Sequence, residues 1–317
     1  MKKTKGIVAI TGASGIIGKN IIQALKICGY DIRVLSRNES PNEKGIEHVV
    51  GDLSSKESLS IFLANVDYLF HCAGEKNHPE LMSKVNIEGT QNLFDIATTS
   101  GLKYFCHISS AGVVGKTHQK WVTEDSSCNP QNEYERTKFE AEKIVCQKIP
   151  NCSTVILRPI NVIDNQNPGV YSLPIRNSLK DKLQIVAKGA ECAHLVHASH
   201  VAECAVFFMD RVLEYSEVFF VGMDEDDSNT LKGVWNSFHS RTGNQKSIIR
   251  WNMPVWFPFL IRKCIGVSSN FGHIRYSSNK LRAYGFDNKW EINRVTGIMV
   301  ENYCRFMKAQ NINYMID

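Results

Sequence analysis

Tyr134 and Lys138 stand four residues apart in the run Tyr134-Glu135-Arg136-Thr137-Lys138. On a helix that spacing puts a phenol and an ammonium on one face, so both can enter the same cleft. A free tyrosine titrates at roughly 10, and a neighbouring cation stabilises its phenolate and lowers that value. Such a pair can exchange a proton with a substrate hydroxyl or carbonyl. Ser110 closes the run Phe105-Cys106-His107-Ile108-Ser109-Ser110, an apolar strand that ends in small residues. Ligands of open parallel sheets sit at that strand edge, so the Ser110 hydroxyl can hydrogen-bond the same oxygen.

A second constellation lies near the start of the chain. In Val8-Ala9-Ile10-Thr11-Gly12-Ala13-Ser14-Gly15-Ile16-Ile17-Gly18, three glycines spaced three apart separate an apolar strand from an apolar helix. Gly12, Ser14 and Gly15 then form a turn whose backbone N–H groups can approach a pyrophosphate. Ile16, Ile17 and Gly18 open a helix whose positive end favours that charge, and Gly18 lets the helix pack closely on the strand. The chemistry expected at Tyr134 is therefore proton transfer coupled to hydride movement at a nicotinamide. An NAD site ordinarily carries Asp or Glu about 20 residues beyond the glycines, at the end of the second strand. Here Ile32-Arg33-Val34-Leu35 ends in Ser36-Arg37, with no acid. Arg37 can pair with a 2′-phosphate through its planar fork, aided by Ser36, so NADP(H) is favoured and NAD(H) remains open.

The elements that must hold these residues alternate. Strands are expected at Gly6–Ile10, Ile32–Leu35, His48–Val50, Tyr68–Cys72, Tyr104–Ile108 and Thr154–Leu157, with Val218–Val221 as a further one. Helices are expected over 16–28, 56–64, 80–100 and 132–148. Alternation of this kind implies an α/β fold, a Rossmann-type doubly wound parallel sheet. After Arg158 the pattern loosens through the turn cluster Asn165-Gln166-Asn167-Pro168-Gly169, Pro254 is expected to open an aromatic helix, and Asn288 to Gln310 reads as a terminal helix. The expected division is a dinucleotide-binding domain over 1–165 with a returning segment near 196–222. A smaller interleaved substrate lobe takes 166–195 and 223–317.

Composition removes other classes. The 317 residues carry 37 Lys+Arg against 32 Asp+Glu, a formal charge of +5 with no dense basic run, so nucleic acid is not an expected partner. At 43% hydrophobic and 22% charged residues the chain is that of a globular protein. Its apolar stretches, the longest being Met253 to Ile261, are shorter than the ~20 residues a spanning helix needs. Ten cysteines without a CxxC pair suit a reducing, cytoplasmic setting. His194, His197 and His200 recur every three residues. They straddle a strand and the next helix, so their side chains should diverge, and no metal is expected. Ser110 sits in no Gly-x-Ser-x-Gly elbow, which disfavours a hydrolase. The aromatic stretch Trp251–Phe259 is expected to be a lid on the substrate cleft, with a membrane-surface or partner-binding helix as the alternative.

Taken in order, TGASGIIG at 11–18, GDL at 51–53, HCAG at 71–74, VNIEGTQNL at 85–93, ISSAG at 108–112, YERTK at 134–138 and LRPINV at 157–162 resemble the extended short-chain dehydrogenase/reductase family. That group contains NAD(P)-dependent sugar-nucleotide epimerases, dehydratases and ketoreductases. The resemblance covers about residues 5–205. It implies that Asp52 and Leu53 lie by the adenine, that Ala73 and Gly74 pass the cofactor's ribose and phosphates, and that Lys138 also binds the nicotinamide ribose. It further implies that Asn161 contacts substrate phosphates, that Asn86 supports the active-site backbone, and that a homodimer through a helix pair would follow family habit. Two departures bear on substrate. Where many sugar-nucleotide members hold the diphosphate with an arginine, this chain has Ala193, and a common aspartate is replaced by His200.

The leading expectation is an NADP(H)-dependent ketoreductase/dehydrogenase acting on a nucleotide-linked 4-keto sugar, a small-molecule substrate. Tyr134 is its acid/base, Lys138 lowers the tyrosine's pKa, and Ser110 polarises the carbonyl. A sugar-nucleotide 4-epimerase with tightly bound NAD would use the same residues. A hydroxysteroid or dihydroflavonol-type dehydrogenase is compatible with Ala193. A non-catalytic dinucleotide sensor would need the glycines but not the acid/base pair.

Overall fold

The computed structural model describes residues 5–39, 43–165, 167–266, 270, 274–287 and 289–309. The chain forms two compact units. One comprises residues up to Gly115, Ser126–Pro159 and Ala198–Val221; the other comprises Lys116–Asp125, Ile160–His197 and the chain from Gly222 onward. The short segment Lys116–Asp125, which the sequence reading left with the first unit, thus belongs with the second.

The first unit is built on seven strands: β1 (Ile7–Thr11), β2 (Asp31–Ser36), β3 (Ile46–Val50), β4 (Tyr68–His71), β5 (Tyr104–Ile108), β6 (Ser153–Pro159) and β7 (Glu217–Val221). They pair in the order β7-β6-β5-β4-β1-β2-β3, and every pairing is parallel. Buried on both faces, β4, β5 and β6 carry apolar residues at consecutive positions, as in Tyr68-Leu69-Phe70, Tyr104-Phe105-Cys106 and Val155-Ile156-Leu157. Helices α1 (Ile16–Cys28) and α4 (Ala198–Phe207) pack against each other. On the other face α2 (Lys56–Phe62), a helical run over 79–97 and α3 (Glu133–Val145) share a core with the sheet. Leu59, Phe62, Leu93, Phe94, Val145 and Ile156 lie in that core. Strand order reverses between β1 and β4, and the crevice at such a switch point is where α/β sheets take ligands.

The run 79–97 was expected as one helix. It is an α-turn Pro79–Met82, a π-helical stretch Ser83–Glu88 and an α-helix Gly89–Ala97. The wider turn places Asn86 inward, where its side chain is engaged as described below.

The second unit has two short parallel strand pairs, Asn161–Ile163 with Leu195–His197 and Trp121–Val122 with Arg275–Tyr276. Tyr171, Leu195, Phe238, Trp290 and Val295 lie in its core. The aromatic helix begins at Trp256, two residues later than expected, and runs to Cys264. The terminal helix is Ile292–Ala309; Asn288 and Gln310 lie outside the described residues. Among the described residues no helix is long and apolar enough to cross a membrane.

Candidate active site

The glycine turn does what its spacing predicts. Gly12 has φ +67, and a Cβ there would lie 2.5 Å from the Ala73 nitrogen; a Cβ on Gly18 would lie 2.3 Å from the Gly12 carbonyl oxygen. Any other residue at either position would push the β1 loop off β4 or lift α1 off the loop. Gly15 caps α1 in an extended conformation with no side-chain cap, and the first turn carries no acid. The N–H groups of Ile16, Ile17 and Gly18 are therefore first-turn donors with no intrahelical acceptor, aimed where an anion would sit. Above them opens a cavity of about 900 Å³, lined by Gly12, Ser14, Gly15, Arg37, Asp52, Leu53, Ala73 and Gly74 of the expected residues. These residues fit a dinucleotide, since the loop offers backbone donors and only hydrogen atoms on its crowded side.

The charge of the cavity is informative. Lys19, Lys26, Arg37 and Lys84 line it, with Glu43, Asp52 and Glu75. Lys26 is paired with Glu43. Asp52 accepts a hydrogen bond from the Ser54 N–H at 2.9 Å. That bond, with the nearby charges of Arg37 and Lys84, holds its carboxyl below the usual range. Arg37 is exposed at the end of β2. The Ser36 hydroxyl donates to the Asn38 carbonyl oxygen at 2.5 Å, so its proton is already committed.

The catalytic candidates come together at the ends of β5 and α3. Ser110 ends the segment after β5 and caps a 3-10 turn, its Oγ accepting from the Gly112 N–H at 3.1 Å. Asn132 caps α3 by accepting from the Glu135 N–H, which fixes Tyr134 in the first turn. Burial pushes the Tyr134 phenol above its ordinary 10.0, and a hydrogen bond with Ser110 pulls it partly back. Lys138 is 4% exposed. Its ammonium donates to the Ile108 carbonyl oxygen at 2.5 Å. Burial pushes its pKa from 10.5 down to about 8.

This corrects one expectation. The lysine was expected to lower the tyrosine's pKa, but its ammonium is drawn to the end of β5, and desolvation dominates the phenol. The cradle and the lysine are neighbours: a Cβ on Gly74 would lie 3.9 Å from Lys138 Nζ.

Sequence reasoning missed the network that ties these parts together. His71, at the end of β4, has Nδ1 2.7 Å from Thr11 Oγ1 and Nε2 2.9 Å from Thr90 Oγ1. Thr90 spends its own proton on the Asn86 carbonyl oxygen at 2.6 Å. It must therefore accept from His71, which fixes the proton on Nε2 and makes Nδ1 the acceptor of the Thr11 hydroxyl. Burial pushes His71 down to about 3, so the ring stays neutral. Asn86 continues the chain: its Oδ1 accepts from the Glu75 N–H, and its Nδ2 donates to the Glu75 carbonyl and to Thr137 Oγ1. Thr137 in turn donates to the Tyr134 carbonyl oxygen at 3.1 Å. The nucleotide loop and the catalytic helix are thus joined by buried hydrogen bonds. One turn beyond Lys138, Glu142 accepts two hydrogen bonds from Arg158, at 3.0 and 2.7 Å. Only the resemblance pointed to Asn86; His71, Thr90 and Arg158 lie within motifs that carry the resemblance, but nothing local shows which partners they or Glu142 take.

Asn161 lies in the second unit, where its Nδ2 donates to the Ala193 carbonyl oxygen at 3.2 Å. The three histidines have separate surroundings. His194 Nδ1 is 2.6 Å from Asp224 Oδ2, His197 stacks on Trp290 at 4.9 Å, and His200 is buried in α4. Among the described residues Cys192, His194 and Asp224 bring three potential metal-ligand atoms within 4.8 Å of one another. The buried Asp224 carboxylate already accepts from Asn229 Nδ2 and the Tyr276 N–H. The cluster is held by hydrogen bonds, and the distance in sequence between Cys192 and Asp224 hid it from motif reading.

The sequence profile of the NAD dependent epimerase/dehydratase family matches residues 8–222. The chain is 27% identical over 290 residues to UDP-glucose 4-epimerase of Vibrio cholerae, spanning 84% of each chain. It is also 27% identical over 263 residues to the sterol-4-alpha-carboxylate 3-dehydrogenase, decarboxylating, of Homo sapiens, spanning 78% of this chain and 69% of that one. Among solved structures it resembles a short-chain dehydrogenase/reductase superfamily protein from Agrobacterium tumefaciens with bound NAD. The TM-score is 0.73 and the identity 20%, over 96% of this chain and 99% of that one. The UDP-glucose 4-epimerase of Thermotoga maritima with UDP-glucose gives a TM-score of 0.72 at 19% identity, over 95% of this chain and 99% of that one. At such identities the structural likeness speaks for the fold.

Proposed function

The chain belongs to the NAD-dependent epimerase/dehydratase family, and from that premise we propose that it is an NADP(H)-dependent ketoreductase/dehydrogenase whose substrate class is a nucleotide-linked 4-keto sugar. One observation carries the cofactor assignment. Where an acid would meet the adenosine ribose, the end of β2 offers Arg37 to the cavity. A guanidinium there suits a 2′-phosphate better than a bare ribose hydroxyl. Ten free cysteines suit a cytoplasmic setting.

When bound, the dinucleotide supplies or accepts the hydride. Gly12, Ser14, Gly15 and the first turn of α1 would hold its pyrophosphate, Asp52 and Leu53 would lie by the adenine, Ala73 and Gly74 would pass its ribose and phosphates, and Lys138 would bind the nicotinamide ribose. Tyr134, a phenol whose pKa burial raises further above its ordinary 10.0, gives its proton to the substrate oxygen as the carbonyl is reduced to an alcohol. Ser110 hydrogen-bonds that oxygen. Lys138, charged at neutral pH, would hold the nicotinamide ribose, and solvent returns a proton to the phenolate left behind.

The likeness to an epimerase over 84% of both chains supports a second reading, a 4-epimerase built on the same residues. Cofactor retention separates the two. Dinucleotide released from the purified protein is identified, and the emptied protein is titrated with NADPH and NADH. Weak retention with an NADPH preference supports the reductase. Tightly held NAD⁺ overturns the assignment of Arg37 and makes the epimerase the better reading.

A further inference from the structure

The helix Trp256–Cys264 has its polarity reversed. Pro258 is its buried residue. On that same side Arg262 forms an ion pair with Glu191 at 2.9 Å. The outward side is apolar: Trp256 is 52% exposed, Leu260 46%, Ile261 48% and the following Ile265 68%, with Trp251 just before the helix at 64%. At 100° per residue Trp256, Phe257, Leu260, Ile261 and Ile265 share one flank of the helix, so the exposure is one continuous face. A contiguous apolar face of this kind marks a contact surface.

Charge selects the occupant. From Arg250 to Gly266 the segment carries Arg250, Arg262 and Lys263 and no acid. Arg250 and Lys263 are both exposed. Two tryptophans and flanking cations around aliphatic residues are the composition of a helix lying in a lipid headgroup layer, where indoles sit at the interface and cations meet anionic lipid. A second copy of the same face would bring like charges together with no acid to pair them. We propose that the segment 250–265 is a docking face whose occupant is the surface of an anionic bilayer, so that the enzyme works while resting on a membrane surface. The proposal stands independently of the reaction assigned above.

The full-length protein is sedimented with vesicles of phosphatidylcholine alone and with vesicles containing phosphatidylglycerol. Binding to the anionic vesicles, weakened by salt and accompanied by a blue shift of tryptophan emission, is expected. Leu260→Gln with Ile261→Gln should reduce partitioning roughly tenfold or more, because two aliphatic side chains leave the acyl boundary. Lys263→Gln should reduce it about fivefold. These side chains are exposed, so the unfolding temperature should hold; if the double variant misfolds, Trp251→Gln, outside the helix, replaces it. Absence of binding to anionic vesicles at low salt overturns the proposal, as does equal binding by all variants. A concentration-dependent dimer that Leu260→Gln dissolves, without vesicle binding, reassigns the face to a second copy. A change in substrate KM alone reassigns it to a lid.

Discussion

Replacing Lys138 by methionine should yield a protein that is inactive and, at neutral pH, more stable. The ammonium is 4% exposed, and burial takes its pKa from 10.5 to about 8. At 1.36 kcal/mol per pKa unit, that fall means keeping the charged form folded costs roughly 3 kcal/mol. The sign follows from proton binding. The unfolded chain holds this proton up to 10.5 and the folded chain only to about 8, so between those values the unfolded state binds more protons and wild-type stability rises with pH. The full penalty is present below about 8 and gone above 10.5. Methionine nearly matches the aliphatic stem and carries no charge, so its curve lacks this rise. Urea unfolding of both proteins at steps from pH 7 to 10.5 should show the variant's advantage shrinking by roughly 3 kcal/mol across the window. The other titratable groups are common to both proteins, so their contributions largely cancel in the difference. Parallel curves would refute the reasoning, because they would mean that the ammonium is solvated in the folded protein.

Tyr134→Phe should lower turnover by about 10²–10⁴ while leaving dinucleotide affinity, measured by fluorescence titration, nearly unchanged; full residual activity would remove the phenol from the mechanism. Arg37→Ala should weaken NADPH binding roughly tenfold to a hundredfold, the value of one charge-assisted hydrogen bond, and leave NADH binding within about twofold. Equal losses would make the arginine a bystander. Glu142→Gln leaves Arg158 charged in a site where the two side chains are 3% and 6% exposed, and should cost about 3–5 kcal/mol in unfolding experiments. Adding Arg158→Met should restore much of that; no recovery would show that the carboxylate matters for something other than its pairing.

The sheet was legible because its signals are local. Buried parallel strands carry consecutive apolar residues, the crossovers have helical period, and the cradle needs glycine at Gly12 and Gly18 for steric reasons that spacing alone reveals. Tyr134 and Lys138 were legible for the same reason, since i and i+4 fix a shared face on any helix. What stayed hidden depends on distant partners. The ammonium of Lys138 is held by a carbonyl thirty residues away, and that contact replaced the expected influence on Tyr134. The π-helical stretch Ser83–Glu88 has no composition of its own, and Asn86 within it is anchored at Glu75 and Thr137. Trp121–Val122 joins the second unit through a two-residue pairing with Arg275–Tyr276, too short to leave any period in the sequence.

The buried groups also set the direction in which the site works. Burial holds His71 neutral down to about 3, and pushes His107 far below its ordinary value as well. Lys138 keeps its proton up to about 8, and Tyr134 keeps its own past 10.0. Around neutrality and up to about 8 these four side chains therefore occupy one protonation state, two neutral rings, one cation and one phenol. That state is ready to donate a proton and must lose one before it can accept. Carbonyl reduction should then proceed at a constant kcat/KM from roughly pH 5 to 7.5 and decline as the Lys138 charge is lost. Alcohol oxidation should climb with pH over the same range, since it draws on the minor phenolate form. Measuring both directions in one buffer series decides the matter. An oxidation rate independent of pH would mean that bound dinucleotide lowers the phenol's pKa below neutrality, and that burial in the free protein does not govern the reacting state.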